Sequence, residues 1–329
     1  MSVLRYLVPD RFLTGLVAAV LLASFLPAEG AAINLFKHLT YFAVALLFFL
    51  HGAKLEHTTV IAGLIHWRLH LTVLGFTFVV FPVLGLLGQG LSPTIISPEI
   101  YLGFLFLCVL PSTVQSSIAF TSIAGGNVPA AVCSATASNI LGIFITPALV
   151  GLLFKNSHSS ISFDTFKDIM LQLLLPFILG QICQPYAKGF LTRHKKIIGV
   201  VDRGSILLVV YSAFSSAVVS GLWKRTSFED LAVISILCSI LLAVVILLTV
   251  YGSRLLGFSR EDQICIVFCG SKKTLASGVP MASVIFADQN IGAVILPLMI
   301  FHQIQLMVCA FMARHYAAQS AQETSDGGY

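Results

Sequence analysis

Two lysines, Lys272 and Lys273, stand side by side in a run that is otherwise largely apolar from Gln263 to Ala287. A lysine at the centre of a membrane-spanning helix costs roughly 2.5 to 3.5 kcal/mol. If this run crosses a bilayer, the pair needs a chemical reason. Apolar residues continue from Ala276 to Ala287, which argues against both ammonium groups snorkelling to an interface. The lysines lie within CGSKKTLASGVP, Cys269 to Pro280, where glycine and proline interrupt a regular helix. An earlier apolar run carries a second interruption, PSTVQSS, Pro111 to Ser117. There proline removes a backbone donor and hydroxyls compete for the freed carbonyls. Broken helices in corresponding spans of two repeats point to a binding site, because open carbonyls and half-helix N-termini face a cavity. A packing kink is the structural alternative, since proline and glycine are common in membrane helices.

The candidate solute or ion pathway therefore takes Ser112, Thr113, Gln115, Ser116 and Ser117 from the first break, and Gly270, Ser271, Lys272, Lys273 and Thr274 from the second. No Asp or Glu sits near the middle of any apolar run, so the partner of the lysines is read as an anionic solute. A lysine that trades protons is the competing reading. Polar side chains elsewhere join the candidates: His302, Gln303 and Gln305 in FHQIQL, Asn127 just ahead of the fifth run, and Thr136, Ser138 and Asn139 within it beside Ser134. Interhelical hydrogen bonding is the alternative role for these. His66 and His70 have a metal-compatible spacing, but beside Trp67 and Arg68 they read as an interfacial anchor. Cys265 and Cys269 lack a third ligand, so no metal is expected. Ser271 next to Lys272 does not make a hydrolase, because adjacent helical residues diverge by about 100° and no oxyanion loop is evident.

These groups are carried by elements that the composition defines. Of 329 residues, 57% are hydrophobic and 10% charged, against roughly 25% charged in a soluble domain. The bilayer is the solvent for such a chain. The net charge of +5 shows no basic face interleaved with aromatics, which excludes a nucleic-acid reading. All seven cysteines lie in apolar runs, so no disulfide framework is implied. Arg5 and Arg11 before an apolar stretch resemble a signal peptide, but a retained first span is preferred.

Ten apolar runs of membrane-crossing character follow: Leu13–Leu26, Ile33–Leu50, Leu71–Leu91, Tyr101–Ile123 and Val128–Phe154, then Ile169–Ala187, Gly204–Leu222, Leu231–Tyr251, Gln263–Ala287 and Ile291–Met312. Twelve Lys and Arg residues fall in the loops of one side and five on the other. Both termini are therefore expected to be cytoplasmic in a multi-pass protein of the plasma (inner) membrane. Five spans per half is an odd number, so related halves must be inverted. A shift of 157 positions lays Gln115–Ala119 over Lys272–Ala276, a weak internal match. The tail 317–329 is polar and without apolar periodicity, and reads as disordered.

Several segments resemble one family: AGGNVPAAVCSATASNILGIFITP (Ala124–Pro147), LLLPFILGQICQP (Leu173–Pro185), DRGSILLVVYSAFSSAV (Asp202–Val218), CGSKKTLASGVPM (Cys269–Met281) and ILPLMIFHQIQL (Ile295–Leu306). The chain is similar to the bile acid:sodium symporter superfamily, solute carrier family 10, in the branch of its orphan seventh member and the bacterial homologues. That resemblance implies ten transmembrane helices in two inverted five-helix repeats, with spans 4 and 9 broken and crossing. It also implies a panel domain of 1–66 and 165–225 and a core of 67–164 and 226–316. Sodium-coupled members hold ions with hydroxyls and amides of spans 4 and 5 and an acid on span 9. Here no acid lies within Ile264–Gly270, and Ala131 and Ala135 stand where hydroxyls belong. Sodium coupling and bile acid transport are thus not carried over, and no cofactor is expected. The expected function is a secondary transporter, not an enzyme, moving a small organic anion by alternating access, with Lys272 or Lys273 replacing the coupling cation. The alternatives are a sodium-coupled symporter and a transporter-derived regulator that acts through a protein partner in calcium handling.

Overall fold

In the computed structural model the described residues are 11–54, 66–92, 94–154, 163–219, 221, 227–286 and 291–326. Among them there is no strand. The helices are α1 (Arg11–Phe25), α2 (Ala31–Lys54), α3 (Trp67–Gly75), α4 (Phe81–Leu87), α5 (Pro98–Val109), α6 (Gln115–Ile123), α7 (Val128–Leu153), α8 (Phe163–Arg193), α9 (Lys195–Val219), α10 (Phe228–Leu255), α11 (Arg260–Gly270), α12 (Leu275–Ile285) and α13 (Ile291–Asp326). A π-helical turn, Phe76–Val80, joins α3 to α4. Among the described residues the whole rod from Trp67 to Gly90 is one of six helices long and apolar enough to cross a membrane; α2, α7, α9, α10 and the start of α13 supply the others. Thr14–Phe25 and Pro98–Val109 are shorter apolar helices. The chain is thus an all-helical, multi-pass membrane protein. Its outer side chains fit that solvent, with Phe25, Phe228 and Phe311 at 80%, 91% and 76% exposure.

Local sequence sets the helix ends. Ser97 accepts from the Ile100 amide ahead of α5, with Pro98 at the first helical position. Ser259 caps α11 through the Asp262 amide, and Asn127 caps α7 through that of Ala130. The fourth and ninth expected spans are each broken, at Leu110–Val114 and at Ser271–Thr274. α11 and α12 hold 11 residues each, about half of what a ~30 Å hydrocarbon layer requires. The helices stop at Val109 and Gly270 and resume at Gln115 and Leu275. The breaks therefore stand 160 to 161 residues apart, and the residue match at a shift of 157 does not superpose them.

One expectation is corrected at the C-terminus. α13 runs on through Asp326, so the segment read as disordered from Ala317 is helical that far. Its Ala, Gln and Glu residues are good helix formers, and a helix already nucleated upstream propagates through them at little cost.

Two compact units emerge. One gathers α1, α2, the body of α8 from Lys167, α9 and Val279–Ala293. There α2 and α8 touch backbone to backbone. A Cβ on Gly52 would lie 2.1 Å from the Phe177 carbonyl oxygen, and one on Gly180 would lie 2.0 Å from that of Phe49. Only glycine allows that approach, the small-residue packing typical of membrane helices. Lys54 of α2 also pairs with Asp202 of α9. The other unit holds α3 to α7, α10, α11, the start of α12 to Gly278, and α13 from Val294. Both helix breaks belong to it.

Candidate functional site

A helix that stops inside a membrane protein leaves open carbonyls at its C-terminal end, and here each break closes the other. At the end of α11 the Phe268 carbonyl accepts from the Ser117 hydroxyl at 2.9 Å and the Cys269 carbonyl from the Ser112 hydroxyl at 2.6 Å. The Ser271 hydroxyl turns back to the Val267 carbonyl at 2.6 Å. At the end of α5 the Thr274 amide donates to the Pro111 carbonyl at 2.9 Å. The Thr146 hydroxyl takes the Val109 carbonyl at 2.8 Å. Asn139 donates to the Ser112 carbonyl at 2.6 Å and to its own helix at Ala135. Its oxygen accepts from Ser277 at 3.1 Å. The Ser112 amide donates to Ser138 Oγ at 3.0 Å. Gly142 lets α7 approach so closely that a Cβ there would lie 2.7 Å from the Pro111 ring.

Lys273 completes the closure. It is fully buried, and its ammonium donates to the carbonyls of Cys108 at 2.8 Å, Leu110 at 2.7 Å and Thr77 at 2.8 Å. The first two are open because Pro111 stops α5, and the negative end of the helix dipole adds attraction for a cation. The third has a separate cause. In the π-turn the Phe81 amide bonds to Phe76, and the next donor along would be residue 82, a proline, which has no N–H. Thr77 is thereby left with a free carbonyl that Lys273 fills. The Phe81 ring lies 4.1 Å from the same ammonium, a cation–π contact. All three N–H donors of Lys273 are committed to protein. Its backbone is clamped as well: Gln305 accepts from the Lys273 amide at 2.9 Å and donates to its carbonyl at 2.8 Å.

Lys272 is equally buried but differently served. Its ammonium donates to the Ser116 carbonyl at 3.0 Å and sits 4.0 Å from the Phe120 ring and 5.3 Å from that of Phe268. An ammonium with one hydrogen bond among the described residues and two aromatic faces keeps donors for an anion. The adjacent lysines thus have separate chemistry, one saturated and one not.

The remaining expected residues divide. Thr113, Ser116 and Ser117 link their hydroxyls, at 2.9 and 3.1 Å. His302 Nδ1 meets Gln305 at 2.9 Å, and Gln303 keeps a buried oxygen without a partner among the described residues. Gly270 closes α11 against Phe76 and Thr249. Gln115 opens α6 on an exposed face, and among the described residues no hydrogen bond draws Thr136 to either break. Asn127 lies apart from the crossing, bonding Asp262 at 2.8 Å at the start of α11. His70 corrects the interfacial reading. It is buried at 8% exposure and meets Ser134 Oγ at 2.7 Å, while His66 and Trp67 stay exposed. Thr77, Phe81, Phe120, Thr146 and Phe268 were not anticipated. Pro82 was the available signal, because a proline within an apolar helix frees a carbonyl one turn earlier.

A family model described as the SBF-like CPA transporter family matches residues 10–318. Three relatives extend the likeness. "Putative symporter YfeH" of Escherichia coli K12 is 54% identical over 313 residues, 95% of this chain and 94% of its own. "Sodium/bile acid cotransporter 7" of Rattus norvegicus is 31% identical over 315 residues, 94% and 92% of the two chains. The protein of that name from Danio rerio is 30% identical over 306 residues, 91% of each. These likenesses define a membrane transporter of the bile acid:sodium symporter type. The chain belongs to the SBF-like CPA transporter family, in the branch that holds the seventh sodium/bile acid cotransporters and their bacterial homologues.

Proposed function

We propose that the chain is a secondary transporter of the plasma (inner) membrane that moves a small organic anion by alternating access, with ten spans in two inverted repeats and both termini cytoplasmic. In this reading Lys273 replaces a bound coupling cation. The observation that carries it is the set of three backbone carbonyls, from Thr77, Cys108 and Leu110, around one ammonium. Unwound carbonyls and half-helix C-terminal ends are the groups with which crossing-helix transporters hold sodium. A covalently held ammonium supplies the same charge to the same kind of oxygen cage without binding from solution. A sodium ion brought there would meet a like charge at short range in low dielectric. Lys272 then presents its spare donors to the solute. The unit rich in broken helices acts as the core and the unit of α1, α2, α8 and α9 as the panel. The sodium in the relatives' names belongs to those proteins, and for this chain coupling to sodium is the outcome that would defeat the proposal.

The test is flux. Purified protein in liposomes should take up labelled organic anions equally when external sodium is replaced by choline, and Lys272→Met should slow that uptake at least tenfold. Uptake that requires sodium, or uptake indifferent to Lys272, refutes the reading.

A further inference from the structure

The Gln305 side chain of α13 grips both backbone groups of one residue in the break between α11 and α12. Its Oε1 accepts from the Lys273 amide at 2.9 Å, and its Nε2 donates to the Lys273 carbonyl at 2.8 Å. Those two bonds fix which way the Gln305 amide faces, because turning it over would set N–H against N–H and oxygen against oxygen. A side-chain amide nitrogen carries two hydrogens. The second meets His302 Nδ1 at 2.9 Å, from a residue three positions earlier on the same face of α13. His302 Nδ1 must therefore accept, and the one proton of the neutral ring sits on Nε2. The tautomer follows from the hydrogen-bond inventory alone.

A second proton could enter the ring only at Nδ1, where it would face the Gln305 N–H. Either the bond between the two side chains breaks, or the Gln305 amide turns over and both bonds to Lys273 are lost. The surroundings offer a histidine cation no counter-charge. The break itself brings the Lys272 ammonium, like in sign, and Lys273. α4 brings Phe81 and no ionisable group, α11 carries Glu261 and Asp262 at the end away from the break, and α13 has no Asp or Glu before Glu323. The ring is nonetheless half-buried rather than sealed from water. The tip of Lys273 is anchored independently, by three carbonyls and by Phe81, whose ring packs edge-on against Phe301 at 6.1 Å. Loss of the Gln305 grip would therefore free the backbone of the break while leaving the ammonium in place.

We propose that His302 is a positioning residue that works as a proton-operated latch: with its proton on Nε2 it holds Gln305 on the Lys273 backbone, and a proton taken up at Nδ1 releases the segment between α11 and α12. The latch lies at the crossing that the transport reading uses, but its readouts are ring tautomer and melting, which need no transport, so either reading can fail alone. The first test is nitrogen NMR of the full chain in nanodiscs with labelled histidine. One ring should be protonated at Nε2 and bare at Nδ1 at neutral pH. In Gln305→Glu a carboxylate oxygen replaces the N–H that faces Nδ1, so that same ring should become doubly protonated, which also assigns its signal. The second test is melting temperature against pH. An unfolded histidine takes up a proton near pH 6.5 and the latched ring takes up none at Nδ1, so the stability due to the latch is present above that pH and lost below it. His302→Asn keeps an acceptor oxygen where Nδ1 stood but cannot titrate. It should melt with the wild type at about pH 8 and above it by about 3 °C at about pH 5, whereas His302→Leu, which orphans the Gln305 N–H, should melt about 3 °C below the wild type at about pH 8. A wild-type ring protonated at Nδ1 at neutral pH, an Asn variant that behaves as the Leu variant does, or parallel pH curves for the wild type and His302→Asn overturns the proposal.

Discussion

The ammonium of Lys273 donates to the carbonyl oxygen of Thr77 at 2.8 Å across 196 positions of sequence, and that oxygen is open because Pro82 has no N–H to offer it. One proline in the third expected span and one lysine in the ninth are therefore a matched pair. Lys273→Met leaves three buried carbonyls without donors. At about 1 to 3 kcal/mol for each buried group left unsatisfied, offset by release from burying a charge, the net loss should be about 3 kcal/mol or more. Pro82→Ala restores a donor to the π-turn, so it should soften the Lys273→Met defect. A double-mutant cycle read by thermal unfolding in detergent should give a coupling of about 1 kcal/mol or larger. Strict additivity would break the pairing.

Sodium should not stabilise the wild-type protein. A ligand that binds only the folded state adds RT ln(1 + [L]/Kd), so a sodium site would raise Tm as sodium replaces choline at constant ionic strength. The expected shift is none. A rise specific to sodium would show a cation site beside, or instead of, Lys273.

The two lysines should separate in one experiment. Among the described residues Lys272 has one hydrogen bond and two ring contacts, so Lys272→Met should cost less stability than Lys273→Met while lowering affinity for an organic anion by about tenfold, the weight of one charge-assisted contact. Equal effects of the two variants on both readouts would contradict the assignment of different roles.

Topology follows from the loop charges. Reporter tags at Ser2 and at Tyr329 should both be cytoplasmic, given twelve positive loop residues on that side against five. Tags on opposite sides would remove the even number of spans on which the inverted repeat depends.

Gly180→Ala places a methyl 2.0 Å from the Phe49 carbonyl. Backbone cannot yield as a flexible side chain would, so the variant should lose about 2 kcal/mol or more, or fail to assemble α2 on α8. An alanine tolerated there without loss, by thermal unfolding, would mean that the two helices can part at little cost.

What the residues alone determined is set by the bilayer. Apolar runs and the interruptions at Pro111–Ser117 and Cys269–Pro280 are readable because hydrocarbon forbids unsatisfied backbone, so spanning segments must be helical and any break must be chemically visible. Leu110 and Ser271 open breaks inside those segments, as proline and glycine require. The adjacency of Lys272 and Lys273 marked a cost in need of a reason. The reason itself was decided by tertiary structure. Neighbouring residues in non-helical backbone point apart, and only packing of α3, α4 and α5 against the break determined that Lys273 meets three carbonyls while Lys272 meets one carbonyl and two rings. Hydrogen-bond partners separated by 156 to 196 positions leave no local pattern, and the carbonyl donated to carries no side-chain identity at all. His70 shows the same limit: Trp67 and Arg68 between it and His66 suggested an interface, and the Ser134 hydroxyl that draws it inward lies 64 positions away. The last turns of α13 reverse the case, since helix propensity there is legible in the residues despite their polarity, and a helix end needs only propagation from the turn before it.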